Sequence, residues 1–468
     1  MSATIGYLAL GYVMLAALAL FVSIGIIGLL HKKERLQFLT GTFLLLIIFI
    51  TSLVMLLFGE TYEFLNIFVI YPFSAFFVAL FAIGFIMINI ISYEYSNNFL
   101  QFSLLFGFVA LGAFSIALAN SFITIFLGIE LISVPTAFMI MLNGRHYIEA
   151  AAKLFILSAI AISVFAFALA LIFPYDPQLT LSDLSIVSTI HGGYLTVLAL
   201  FLFISALAFD ASLFPFNLWV PDVFAGSPAN ITALLAGVNK KVAFVALFEI
   251  LFIVMSPYIG VFSLAFQVLA IMTMFFGNLV ALVQTNVKRL FAYSSISQAG
   301  YIAIGFAVAT QYGIQASMFQ ILAHTFMIIG TFAIILWLES KGLKTISDYS
   351  GLSYRNAFAG VALTVFMLSM IGIPPLIGFT GKLLLFSSAI SSGLLLLAVV
   401  GILNSFISVY YYAKVILAMF SKKDGSELYA GWSINTVVAI CLLVVILLGI
   451  FPSTLISIIS IAAGSVLG

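Results

Sequence analysis

The sequence is 468 residues long, 65% hydrophobic and only 7% charged, against roughly a quarter charged in an ordinary globular domain, which excludes a soluble enzyme. With 16 basic and 15 acidic residues the net charge is +1, so there is no cationic excess for binding nucleic acid. Repeated apolar stretches, each near the about 20 residues that cross about 30 Å of hydrocarbon, make the expected fold an all-α polytopic membrane protein lying in the lipid bilayer.

Fourteen spans are expected, near 3–30, 36–58, 66–92, 99–119, 121–142, 152–173, 194–216, 229–255, 259–284, 289–309, 316–338, 357–391, 394–420 and 432–451. The first, Ala3 to Leu30, is too long for a signal-peptide core and has no basic residue before it, so it reads as a retained membrane helix. Numbering the ends from the amino terminus, one side collects Lys32, Lys33, Arg35, Arg145, Lys288, Arg289, Lys341, Lys344, Arg355, Lys422 and Lys423. The other side has Glu60, Glu63, Asp176 and Asp183 and no lysine or arginine. Cytoplasmic loops carry the basic excess, so the basic side is expected to be cytoplasmic and both termini outside, in a prokaryotic plasma membrane.

Spans four to eight and nine to thirteen read as two units of five. An odd number of spans forces the second unit to enter the membrane inverted. The chain then divides into 1–98, a first repeat at 99–255, a second at 256–420, and a last span with its tail at 421–468. Each repeat contains a proline-punctuated span, Leu213-Phe-Pro-Phe-Asn-Leu-Trp-Val-Pro-Asp222 in the seventh and Gly372-Ile-Pro-Pro-Leu-Ile-Gly-Phe-Thr-Gly-Lys382 in the twelfth. Helix breaks are expected at Pro215 and at Pro374-Pro375, because proline lacks the amide that continues a helix. Paired broken helices in inverted repeats point to a transport site near the bilayer midplane.

Ionisable groups inside the bilayer cost roughly 2.5–3.5 kcal/mol each on insertion scales. Glu130, Asp210, Lys240, Lys241, His324 and Lys382 all fall within expected spans. Lys153, near a helix end, can instead snorkel to the interface, and Lys414 and Glu249 are expected to be interfacial. A lysine taken out of water holds its proton less firmly, and a nearby carboxylate restores the hold. A Glu–Lys pair whose separation changes can therefore capture and release a proton. The 49 phenylalanines are expected to pack against lipid and neighbouring helices. The single cysteine, Cys441, and four scattered histidines form no metal or iron–sulfur ligand pattern, and no phosphate loop or nucleophile with its base is present.

Several segments resemble the antiporter-like, proton-translocating subunits of respiratory complex I, chain N type. They are Phe214-Pro-Phe-Asn-Leu-Trp-Val-Pro-Asp-Val-Phe-Ala-Gly-Ser-Pro228, Asn286-Val-Lys-Arg-Leu-Phe-Ala-Tyr-Ser-Ser-Ile-Ser-Gln-Ala-Gly-Tyr301, Ser369-Met-Ile-Gly-Ile-Pro-Pro-Leu-Ile-Gly-Phe-Thr-Gly-Lys382, and Glu149-Ala-Ala-Ala-Lys-Leu-Phe155. The resemblance implies a fourteen-helix fold with inverted repeats and broken helices seven and twelve. It implies Glu130 as the helix-five glutamate and Lys153, Lys240 and Lys382 as the lysines of helices six, eight and twelve, lining two linked half-channels. It also implies membrane-arm partner subunits, with the quinone, iron–sulfur and flavin centres in those partners and no cofactor in this chain. Asp210 stands where the family usually has lysine, Asn217 and Gln298 where relatives have histidine. Lys241 is accordingly expected to pair with Asp210, His324 to compensate from helix eleven, and the axis to rely on water, serine and tyrosine. A subunit of a multi-subunit Na+/H+ antiporter is the alternative, and a spacer that has lost pumping is a third reading.

Overall fold

The computed structural model describes residues 33–64, 66–96, 98–175, 177–181, 193–421 and 426–466. The expected first span, 3–30, and Lys32, Asp176, Asp183, Lys422 and Lys423 lie outside them. The described chain is helical apart from one short hairpin. In chain order come α1 (Glu34–Phe58), β1 (Tyr62–Phe64), β2 (Phe68–Ile70), α2 (Pro72–Tyr95), α3 (Phe99–Ala117), α4 (Phe122–Met141), α5 (Ile148–Ile172) and α6 (Tyr194–Ala211). There follow α7 (Trp219–Ala225), α8 (Ala229–Leu234), α9 (Lys240–Phe248), α10 (Ile259–Ala281), α11 (Val287–Val308) and α12 (Gln311–Ser340). The last are α13 (Ala357–Ile371), α14 (Ile377–Ser391), α15 (Leu395–Met419), α16 (Trp432–Ile450) and α17 (Ser453–Gly464).

Among the described residues 10 helices are long and apolar enough to cross a membrane, or 11 if a pair bent by 118° at Asn356 counts as one. Each of these ten coincides with one expected span. The three other expected spans within the described residues take different forms. Span 229–255 is α8 and α9 joined by a π-helical turn (Leu235–Asn239) and extended by a second one (Glu249–Val254). Span 289–309 is α11, whose serines, glutamine, lysine and arginine dilute its apolar character. Span 357–391 is two 15-residue helices, α13 and α14. The protein is an all-α polytopic membrane protein, with 10 or 11 apolar spans among the described residues.

Lipid explains which faces are apolar. Leu57, Leu417 and Phe406 are all more than two-thirds exposed on helix exteriors, where water would penalise them and hydrocarbon does not. Since lipid is as apolar as leucine, helices associate through close packing and hydrogen bonds. Gly112 on α3 and Gly128 on α4 show the packing: a Cβ on Gly112 would lie 2.6 Å from the Gly128 carbonyl oxygen. At the centre, α12 is buried along its whole apolar length.

Both broken spans close in the same way. At the end of α6, Ser212 adopts a left-handed conformation (φ 64°) and the next amide, Leu213 N–H, donates to Ala208 O. At the end of α13, Gly372 is left-handed (φ 99°) and Ile373 N–H donates to Leu368 O. This six-to-one bond satisfies carbonyls that a helix end leaves open. Pro215 lies inside the first break and Pro374-Pro375 inside the second; Phe214–Pro215 and Pro374–Pro375 are cis peptides. The seventh span, expected over 194–216, stops at Ala211 and resumes as α7, tied back by Trp219 Nε1 donating to Phe209 O at 2.9 Å. The third, expected from residue 66, begins only at Pro72. The chain before it folds as the β1–β2 hairpin, and Val69 N–H donates to Leu118 O at the end of α3.

Candidate functional site

The charged side chains of the spans come mostly from helix interruptions, where the backbone departs from a uniform α-helix. Asp210 is the second-last residue of α6, Lys240 follows the π-helical turn at the head of α9, and Lys382 sits on the first turns of α14. Glu130 is mid-helix on α4, five residues before Pro135, which supplies no amide to the Leu131 carbonyl. Lys240, Lys241, His324 and Lys382 are all at most 3% exposed, while Glu130 and Asp210 are half-buried. Among the described residues none of these six forms an ion pair of opposite charges.

Asp210 and Lys240 line one cavity of about 40 Å³ together with Ser133, Thr136, Ser158 and Asn239, room for roughly three water molecules. Glu130 is close enough for its charge to act on Asp210. The Lys240 ammonium turns to α11, donating to Ser295 O at 3.1 Å and Ser295 Oγ at 2.9 Å. Lys241 does not reach Asp210. Consecutive helical residues point about 100° apart, and its Nζ lies 2.6 Å from His324 Nδ1 on α12. The expected Lys241–Asp210 pair is therefore replaced by a Lys241–His324 contact.

A row of neutral groups continues from there. Gln320 lies one turn from His324, and its Nε2 donates to Gln298 Oε1 at 2.9 Å. Gln298 Nε2 donates to Met370 O. Ser294, Gln298 and Tyr301 recur at helical spacing on one face of α11; Ser294 Oγ lies 2.5 Å from the Tyr412 hydroxyl. Lys382 closes the row. It donates to Ile371 O at 2.9 Å, an acceptor left open where α13 ends. It also donates to Ser405 Oγ at 3.0 Å and lies 4.2 Å from the centre of the Tyr301 ring, and Ser405 Oγ in turn donates to Tyr301 OH. Lysines, one histidine, hydroxyls and amides thus run from the Asp210 cavity to α14, an arrangement able to hand protons along. Asn217, in the first break, is buried with neither amide atom partnered.

Lys153 is not part of this row. It is 40% exposed and paired with Glu149 at 2.8 Å and Asp222 at 2.9 Å; α5 gives the cavity Leu154 and Ser158 instead. Asp222 on α7 also holds Arg289 at 3.1 Å. Lys288, expected as a loop cation, is buried, bonded to Ser227 O at 2.7 Å and Glu339 Oε1 at 2.5 Å. Glu249, expected at the interface, is fully buried with neither carboxylate oxygen partnered. The parts that sequence reading passed over are Asp222, Ser295, Gln320 and Ser405. The first lay inside a quoted motif, and the polar run Ser294–Gln298 in an apolar helix was the available sign of the second.

Residues 119–408 match the family described as NADH:quinone oxidoreductase/Mrp antiporter, membrane-spanning region. The chain belongs to this family. Among its relatives, NADH-quinone oxidoreductase subunit N of Trichlorobacter lovleyi is 37% identical over 358 residues, 74% of this chain and 73% of that protein. The F(420)H(2) dehydrogenase subunit N of Methanosarcina mazei is 36% identical over 366 residues, 74% of each chain. A chain of respiratory complex I from Thermus thermophilus superposes with a TM-score of 0.81 at 28% identity, covering 96% of this chain and 99% of that one. The family resemblance expected from the motifs is therefore established, and with it a place among membrane subunits of multi-subunit complexes.

Proposed function

We propose that this chain is the proton-translocating, subunit N-like membrane-arm subunit of a quinone-reducing complex. One observation carries the reading: three lysines and a histidine are buried without opposite-charge partners, with serine, glutamine and tyrosine side chains standing between them from the Asp210 cavity to Lys382. Unpaired charges in the bilayer are costly, and they mark ion pathways. In this reading protons enter beside Glu130 and Asp210, load Lys240 and Lys241, pass by His324, Gln320, Gln298 and Tyr301, and leave past Lys382. Moving one proton against 100 mV takes about 2.3 kcal/mol, so an exergonic reaction in partner subunits drives it. Those partners carry the quinone site and the iron–sulfur and flavin centres. The two similarly closed breaks fit two inverted repeats within 99–255 and 256–420. The basic loops on one side support a reading of this chain in a prokaryotic plasma membrane with both termini outside.

The test is mass spectrometry of the intact assembly isolated in mild detergent through a tag on this chain. Quinone-site and iron–sulfur subunits are expected in the complex. Recovery of antiporter subunits alone would overturn the reading.

A further inference from the structure

Three elements meet on the basic side of the Asp210 cavity, and each brings one charged residue to the same point. α7 packs between α5 and α11. Gly226, at its end, lets it close on α5: a Cβ there would lie 2.9 Å from Ala150 Cβ. Asp222 of α7 bonds Lys153 of α5 at 2.9 Å and Arg289 of α11 at 3.1 Å. All three are displaced from the cavity toward the membrane face that carries the basic loops. Lys153 stands five residues, about 7.5 Å, before the cavity residue Ser158. Asp222 stands three residues, about 4.5 Å, beyond the cavity residue Trp219. Arg289 stands six residues, about 9 Å, before Ser295, which holds Lys240.

Beneath this ionic layer α7 is aromatic and apolar, and Asp222 is the one charged residue of its seven. Trp219 lines the cavity, and Phe224 is fully buried with its ring centre 6.0 Å from Lys240 Nζ. The two rings meet edge to face at 6.3 Å, so together they stand between Lys240 and the water on the basic side. We propose that α7 is the gate through which water and protons reach the Asp210 cavity from that side, and that Asp222 is its latch. The element is built to move. It is set off by the first break, Ser212–Leu218, before it and by Gly226-Ser227-Pro228 after it, and hinges need only a few such residues. The latch is also weak enough to release. Its Lys153 and Asp222 side chains are 40% exposed and Arg289 43%, and exposed ion pairs contribute little each. Lys153 keeps Glu149 at 2.8 Å when Asp222 lets go, so opening strands no cation on α5. The gate rests on the proton-translocation reading for its purpose, and adds to it the point of entry.

Thiol labelling of the assembly in sealed vesicles, with a charged, membrane-impermeant methanethiosulfonate, tests the gate. The one cysteine, Cys441, is buried. Ser158→Cys in a Cys441→Ser chain therefore puts a single reporter in the cavity, and Lys341→Cys, exposed on the basic side, reports vesicle orientation. Labelling of Ser158→Cys should be slow, and about tenfold faster from the basic side once Asp222→Asn is added. Raising the salt concentration should speed labelling where Asp222 is kept, because salt screens exposed pairs, and change little in Asp222→Asn. An Asp222 that only stabilised the fold would not carry that salt response. Phe224→Leu thins the aromatic layer without touching the latch; it should speed labelling and keep the salt response, which holds the test open if Asp222→Asn fails to fold. Labelling unaltered by both variants, or faster only from the opposite side, would overturn the gate. Failure of the proton-translocation reading is separate: labelling needs no proton transport, and the proton yield of Lys240→Met assemblies decides that reading.

Discussion

Neighbouring residues on one helix carry different roles here because a step of one residue turns the side chain by about 100°. Lys240 meets Ser295 on α11 and Lys241 meets His324 on α12. A sequence shows the cost of a buried lysine but not the direction in which it points. For that reason Glu130, Lys240 and Lys382 could be singled out from composition and position, whereas the partner of Asp210 could not. Asp210→Asn and Lys241→Met should consequently act independently on proton transfer, their effects adding within about 0.5 kcal/mol in a double-mutant cycle. A larger coupling, with the double variant recovering activity, would reinstate direct pairing. Glu249 illustrates the opposite error, since closeness to a helix end suggested an interface and the side chain is fully enclosed. A buried polar group without partners is destabilising relative to an apolar one of similar shape. Glu249→Met should therefore raise the thermal midpoint of the solubilised protein, and a lower midpoint would reveal a partner for its carboxyl.

Proline and glycine made the two interruptions legible in the sequence at the scale of whole elements. What it could not show was how the chain resumes. The seventh span is expected to end at 216, yet the chain beyond it forms α7, held as Trp219 reaches back to the Phe209 carbonyl and Asp222 bridges two cations. The π-helical turns around α9 are equally invisible, since they follow from tertiary packing and not from a residue signature. At the second break Gly378 lets α14 approach the end of α13: a Cβ there would lie 1.9 Å from Ser369 O. Gly378→Ala should thus force the break apart and displace Lys382, and proton transfer should fall even where the protein still assembles. Normal proton transfer in that variant would show that the break tolerates displacement. The buried Lys288–Glu339 pair joins α11 to α12. Removing one partner of such a pair costs about 3–5 kcal/mol, whereas replacing both is far less damaging. Denaturation of Lys288→Met, measured against Lys288→Met with Glu339→Leu, should show the double variant as the more stable one.

For the molecule as a whole, hydropathy fixed the fold class and the motifs fixed the family, because both depend on residue type at coarse spacing. Among the cations sorted to the basic side, Lys288 is a buried partner of Glu339 and not a free loop charge. The chain's arrangement as a row of unpaired protonatable groups across one bundle is the feature on which the functional account depends. The most direct test is the number of protons moved per quinone reduced, in sealed vesicles containing the assembly with Lys240→Met. Without the ammonium, proton passage through this chain should slow by about 10²-fold or more, and the ratio should fall while quinone reduction in detergent continues. An unchanged ratio would contradict the account and leave this chain as a spacer in the membrane arm.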